Sequence, residues 1–200
     1  MRTNSLQSSD EKQRDIFVIY CDLVGSTRTV KNLKPRQIRR YYTIFLNEMT
    51  NVINDFGGRI LKYVGDCIIG LFILPEIGWI PYVDNAVLCS KMMMKVMKYS
   101  IDPIAQSEGL PSMSCRIGAD IGEVQVIKVG VEDIYTNIDV FGNVMNITSK
   151  ICGKAVAEEI LFGKNLWNLI YISHKLKCKN TKTLDLNGIS YKVYSLSYNS

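Results

Sequence analysis

Two carboxylates stand where chemistry could be done. Asp22 ends the run Ile-Phe-Val-Ile-Tyr-Cys-Asp, residues 16–22, whose other members are apolar, β-branched or aromatic. Asp66 sits in the Gly65-Asp66 break between two further apolar runs. A carboxylate beside a glycine at a strand end often serves only as a turn-former. Two of them on adjacent parts of one sheet have a further use, because paired carboxylates can hold two divalent cations about 3.5–4 Å apart and clamp both ends of a phosphoryl displacement. Gly25, Ser26 and Thr27 follow Asp22 directly. They read either as an ordinary N-cap or as the opening of a helix whose free N–H groups face phosphate.

A second set lies further along. Lys62 comes four residues before Asp66 on the same expected hairpin strand, and Asp139 precedes a Gly-containing turn into an expected helix carrying Asn146 and Lys150. Asn146 and Lys150 are i,i+4 neighbours and project from one helix face. A lone Lys on a strand is usually solvated, and an Asp before a helix is usually a cap. As a couple, Lys62 and Asp139 acquire meaning as readers of a nucleobase. Adenine offers an acceptor at N1 and a donor at N6, which a Lys donor and an Asp acceptor match; guanine reverses that order and cytosine repeats it. The couple therefore argues against GTP and leaves CTP open.

The elements that must position these groups follow from pattern. A buried strand is expected over 16–22. A long helix runs from Pro35 to Asp55, with Ile38, Tyr41, Tyr42, Phe45, Met49, Val52 and Ile53 at helical spacing, and Gly57-Gly58 stops it. Arg59–Val64 and Cys67–Leu74 form a tight hairpin across Gly65-Asp66. A second helix is expected from Tyr82 to Tyr99, with its Met run packed in the core, and Asp102-Pro103 is expected to begin a loop. Strands follow at 114–121, 123–131 and 134–138, then a helix at 142–153, a strand at 159–162 and a final hairpin at 182–196 turning at Asn187-Gly188. This order predicts one α+β domain, a ferredoxin-like antiparallel sheet with helices packed on one side.

Composition sets the outer bounds. Two hundred residues, 47% hydrophobic, suit a single domain over 16–200 preceded by a flexible polar arm, 1–15. The arm lacks the apolar core of a signal peptide, no stretch reads as a membrane span, and the six scattered cysteines fit reduced thiols, so a cytoplasmic protein without membrane contact is expected. The net charge of +5 is dispersed, with a looser basic cluster at 174–182 that reads as a solvated face and not as a nucleic-acid groove.

Four stretches, in this order, resemble the class III adenylate and guanylate cyclase catalytic domain: Phe-Val-Ile-Tyr-Cys-Asp-Leu-Val-Gly-Ser-Thr, Gly-Gly-Arg-Ile-Leu-Lys-Tyr-Val-Gly-Asp, Arg-Ile-Gly-Ala-Asp-Ile-Gly-Glu-Val and Asp-Val-Phe-Gly-Asn-Val-Met-Asn. The resemblance implies a head-to-tail homodimer with two composite sites. Asp22 and Asp66 of one protomer, with the backbone carbonyl of Leu23, would bind two Mg²⁺ or Mn²⁺ ions. Lys62 and Asp139 of the other would read the base, and Asn146 would orient the ribose. The reaction implied is in-line attack of the ribose 3′-oxygen on the α-phosphorus of a nucleoside triphosphate, most simply ATP, with pyrophosphate leaving. Two departures stand out. Lys150 occupies the place of the family's transition-state Arg, keeping the charge but losing the planar fork. The family's phosphate-binding Lys has no match between Leu184 and Tyr191.

Overall fold

Ile16, Phe17, Val18 and Ile19 are all 2% exposed or less, because both faces of their strand are covered. The computed structural model describes residues 14–131, 135–170 and 178–198. In chain order its elements are β1 (Arg14–Leu23), α1 (Ser26–Val30), α2 (Pro35–Asp55), β2 (Arg59–Val64), β3 (Cys67–Ile73) and α3 (Ile80–Val96). A π-helical turn (Met97–Ile101) then leads into α4 (Asp102–Ser107). The second half comprises β4 (Cys115–Val131), β5 (Tyr135–Phe141), α5 (Asn143–Lys154), β6 (Ile160–Gly163), α6 (Lys164–Ile170), β7 (Cys178–Leu186) and β8 (Ile189–Leu196). Among these elements no helix is long and apolar enough to cross a membrane.

The sheet runs β2-β3-β1-β4-β6-β8-β7, with β5 paired to β4. Its first four strands have the ferredoxin-like order, and all pairs are antiparallel except β4 with β6. Alternation along β1 divides the core. Phe17, Ile19, Cys21 and Leu23 face a large cluster with Tyr41, Phe45 and Met49 of α2 and with Met93 and Met94 of α3. Ile16 and Val18 face a smaller one with Ile69, Leu71 and the α5 residues Val144 and Met145. The expected one-sided packing of helices is thus corrected: α5 alone lies on the opposite face from α2 and α3, and a strand buried on both sides needs such a lid.

Two glycines let that lid close. A Cβ at Gly118 would overlap the backbone nitrogen of Cys152, and one at Gly122 would crowd the Val144 side chain at 3.1 Å. Gly122 therefore marks a close approach, not a break, and the two strands expected at 114–121 and 123–131 are one continuous β4. Asp102-Pro103 likewise does not open a loop. Asp102 and Pro103 follow directly on the π-helical turn, where the helix passes from π into α4 without a break. Asp102 accepts from the Met113 amide at 2.7 Å and the Ser112 hydroxyl at 2.9 Å, which ties down the connection to β4.

Asp120, fully buried in β4, holds the far end together. It accepts from the amides of Ile121 and Leu166, both at 2.9 Å, and from the Tyr191 hydroxyl at 2.5 Å. Burial raises its carboxyl above the usual carboxylate range, and these three donors pull back against that shift. Of the arm expected at 1–15, residues 14 and 15 belong to β1 and residues 1–13 lie outside the described residues, as do residues 174–177 of the basic cluster.

Candidate active site

The antiparallel register of β1 sets Asp22 opposite Cys67 on one side and opposite Arg116 on the other. Asp66 is the residue before Cys67, in the turn that joins β2 to β3, so both acidic residues come to one corner of the sheet. Cys67 reports their convergence: its thiol is pushed up to about 12 by burial first and then by the fields of Asp22 and Asp66. Carboxylate oxygens are the donors that hard divalent cations such as Mg²⁺ take. Among the described residues no group of three or more His, Cys, Asp or Glu side chains converges. A cation here would have two carboxylates and main-chain oxygen, completing its shell with substrate phosphate and water as Mg²⁺ sites commonly do. The donor set fits.

Arg116 was not singled out from sequence, yet it dominates this corner. Its Nε and Nη2 donate to Oδ2 of Asp22 at 2.9 and 2.6 Å, and its Nη1 reaches the Gly153 carbonyl at 3.3 Å near the C-terminal end of α5. Both contacts fall on Oδ2. Oδ1 of Asp22 is left as the oxygen through which that carboxylate can bind something else.

The other predicted couple is brought together directly. Lys62 Nζ donates to both oxygens of Asp139, at 2.8 and 2.7 Å, across 77 positions of sequence. Asp139 lies within β5, opposite Ile127 of β4, because the strand expected at 134–138 runs on to Phe141 before the Gly142 turn into α5. Its carboxyl feels burial, which opposes ionisation. The Lys62 ammonium and the Val140 amide outweigh that, so it is held below the usual carboxylate range. Tyr20, two residues before Asp22 on the same face of β1, is half-buried. Burial pushes its phenol up to about 12, aided by Cys67, Cys152 and Asp139.

Helix α5 supplies the rest. Val144, Met145, Thr148, Ile151 and Cys152 face the sheet, leaving Asn146 and Lys150 exposed on its outer side. Gly25 takes a left-handed conformation (φ 72°) as N-cap of α1, the turn conformation that glycine adopts without strain. The amides of Ser26 and Thr27, in the first turn of this five-residue helix, have no acceptor within it. Leu23 is buried in the main core.

The family model described as the adenylate and guanylate cyclase catalytic domain matches residues 8–198. The chain belongs to this cyclase family. An adenylate cyclase of Anabaena cylindrica is 28% identical to it over 189 residues, covering 90% of this chain and 34% of that protein. A cytidylate cyclase of Escherichia coli is 22% identical (81% and 38% covered), and a uridylate cyclase of Gulbenkiania mobilis is 28% identical (78% and 62%). The chain thus spans about one third to three fifths of the length of these curated relatives. The adenylyl cyclase CyaB from P. aeruginosa shares its fold, with a TM-score of 0.83 at 24% identity over 93% of this chain and 95% of the other.

Proposed function

We propose that this cyclase domain converts a nucleoside triphosphate, ATP in the first instance, into a 3′,5′-cyclic monophosphate and pyrophosphate, as a homodimer with composite sites. The observation that carries the proposal is the acidic corner where Asp22 and Asp66 meet beside Arg116. Two Mg²⁺ or Mn²⁺ ions held there by Asp22, Asp66 and the Leu23 carbonyl would supply Lewis acidity and offset the charge of the triphosphate.

The chain's own groups position the reactants. Arg116 fixes Asp22 through Oδ2 and so aims Oδ1. Gly25, Ser26 and Thr27 offer main-chain N–H groups next to the corner, toward phosphate. Lys62 and Asp139 open their mutual ion pair and give their donor and acceptor to the base edge. Asn146 orients the ribose, and Lys150 brings a cation to the charge that develops on the phosphate. The reading draws on the nucleoside triphosphate pool and so assigns the reaction to the cytoplasm.

A pyrimidine cyclase is the second reading. Cytosine presents the same acceptor and donor order as adenine to Lys62 and Asp139, and the similar proteins include a cytidylate and a uridylate cyclase. One assay separates the readings: purified protein with Mn²⁺ and ATP, CTP, UTP or GTP, products identified by mass. Cyclic AMP from ATP, abolished by Asp66→Ala, is expected. Product from CTP or UTP alone moves the assignment to the pyrimidine reading, and absence of pyrophosphate release from all four reduces the chain to a nucleotide-binding dimerisation module.

A further inference from the structure

Between Asp22 and Glu48 the chain carries no acidic residue but six basic ones: Arg28, Lys31, Lys34, Arg36, Arg39 and Arg40. All six are exposed. Three of them occupy the first two turns of α2, whose first turn contains no acid. Cations there oppose the helix dipole, at a cost to stability. The fold does not recover this cost by pairing them all. Arg40 is gripped by Glu108, its Nε and Nη2 meeting the two carboxylate oxygens at 2.7 and 2.5 Å. Arg36, one turn earlier on the same face, and Arg39 make no ion pair with any described residue.

These guanidinium groups line a cleft of about 460 Å³ between α2 and the segment after α4, with Gln37, Thr43, Glu108 and Leu110 completing its walls. Leu110 is buried and gives the cleft an apolar wall. Pro35 opens α2 and removes one amide, and the Gln37 side-chain oxygen accepts from the Lys34 amide at 3.0 Å, so the helix start does not present a cradle of N–H donors for phosphate. What the cleft does show is carboxylate recognition, since Arg40 already forks the carboxylate of Glu108.

From this we infer that the α2 cleft is a docking surface for an acidic segment of a partner protein. Its carboxylates would be forked by Arg36 and Arg39 as Glu108 is by Arg40, with an apolar side chain against Leu110. A membrane fits less well, because the cations line a concavity and not a convex face. A nucleic acid fits less well because no aromatic ring lines the cleft for bases to stack on.

The test uses the full chain and a fluorescein-labelled twelve-residue peptide of alternating Glu and Leu, followed by anisotropy. The double variant Arg36→Glu/Arg39→Glu is expected to weaken binding by about tenfold or more, while the charge-matched Lys95→Glu/Lys192→Glu leaves it within about twofold. Thermal melting supplies a readout free of any ligand: reversing the two charges suits the helix dipole, so the α2 variant should melt no lower than the wild type. Vesicles containing phosphatidylserine and a twelve-nucleotide single-stranded RNA form the other arms. The inference is overturned if the peptide fails to bind the wild type, if both double variants weaken it equally, or if vesicle or RNA binding and not peptide binding depends on Arg36 and Arg39.

Discussion

The guanidinium of Arg116 lies 2.6 Å from Oδ2 of Asp22, so the first acidic residue of the cyclase corner is already engaged when no cation is present. The pair is part-buried and bidentate in donors, a geometry in which guanidinium and carboxylate interact strongly. Arg116 and a divalent cation then compete for the same charge. Arg116→Gln should tighten Mn²⁺ binding to the nucleotide-free protein by several-fold, read by electron paramagnetic resonance, while turnover falls because Asp22 is no longer aimed. Unchanged Mn²⁺ affinity would show that the ion pair does not restrain the site.

The Lys62–Asp139 pair predicts an acid limb. Asp139 has its folded pKa below the ordinary carboxylate value near 3.9, so it adds stability that is present above about pH 4 and is lost as pH falls through the lower folded value. Asp139→Asn should flatten the fall in stability below about pH 4. Near neutrality it should cost under about 1 kcal/mol, since the Lys62 side chain is 42% exposed. Urea unfolding of both proteins from pH 3 to pH 7 tests this; parallel curves would refute it.

Lys150 offers a gain-of-function test. Exposed on α5 one turn beyond Asn146, it carries charge but not the planar fork that grips two phosphate oxygens. Lys150→Arg is expected to raise kcat with a smaller change in KM, as restored transition-state contact requires. A lower or unchanged kcat would assign Lys150 another task.

Removing the hydroxyl that meets Asp120 should be felt in stability. Tyr191→Phe deletes one of three donors to a buried carboxylate, and hydrogen bonds to charged groups contribute about 1.5–3 kcal/mol. The loss should shrink on acidification. The Asp120 pKa, already raised by burial, would rise further in the variant, so protonation neutralises the group there first. Thermal melts at pH 7 and pH 5 compare the two.

The parts of this fold that sequence reveals are those with local causes. Residues 16–22 alternate toward two cores, Gly65-Asp66 breaks two apolar runs, and Asn187-Gly188 turns the last hairpin, so β1, the β2–β3 hairpin and the β7–β8 hairpin are legible. Asn187 indeed takes positive φ there, at 56°. Gly122 misleads because the same residue type serves a turn and a close helix approach, and only tertiary structure distinguishes them. Helix α6 begins immediately after β6 and is too short for its period to show. The role of Arg116 is not legible in sequence because its partner is 94 residues away, brought opposite by the register of β1 with β4. Chemical complementarity couples Lys62 and Asp139 from the sequence; the ion pair that joins them and the extension of β5 past Asp139 depend on long-range strand pairing that no local pattern encodes.

Gly118 carries a consequence for evolution of this enzyme family member. Where any side chain would collide with the main chain of Cys152, a lone hydrogen sets how high α5 rides above the sheet. Even a single methyl would raise the platform from which Asn146 and Lys150 project, and displacements near 1 Å can cost about a hundredfold in rate. Tolerance to mutation should therefore be low at a position that holds none of the candidate site groups.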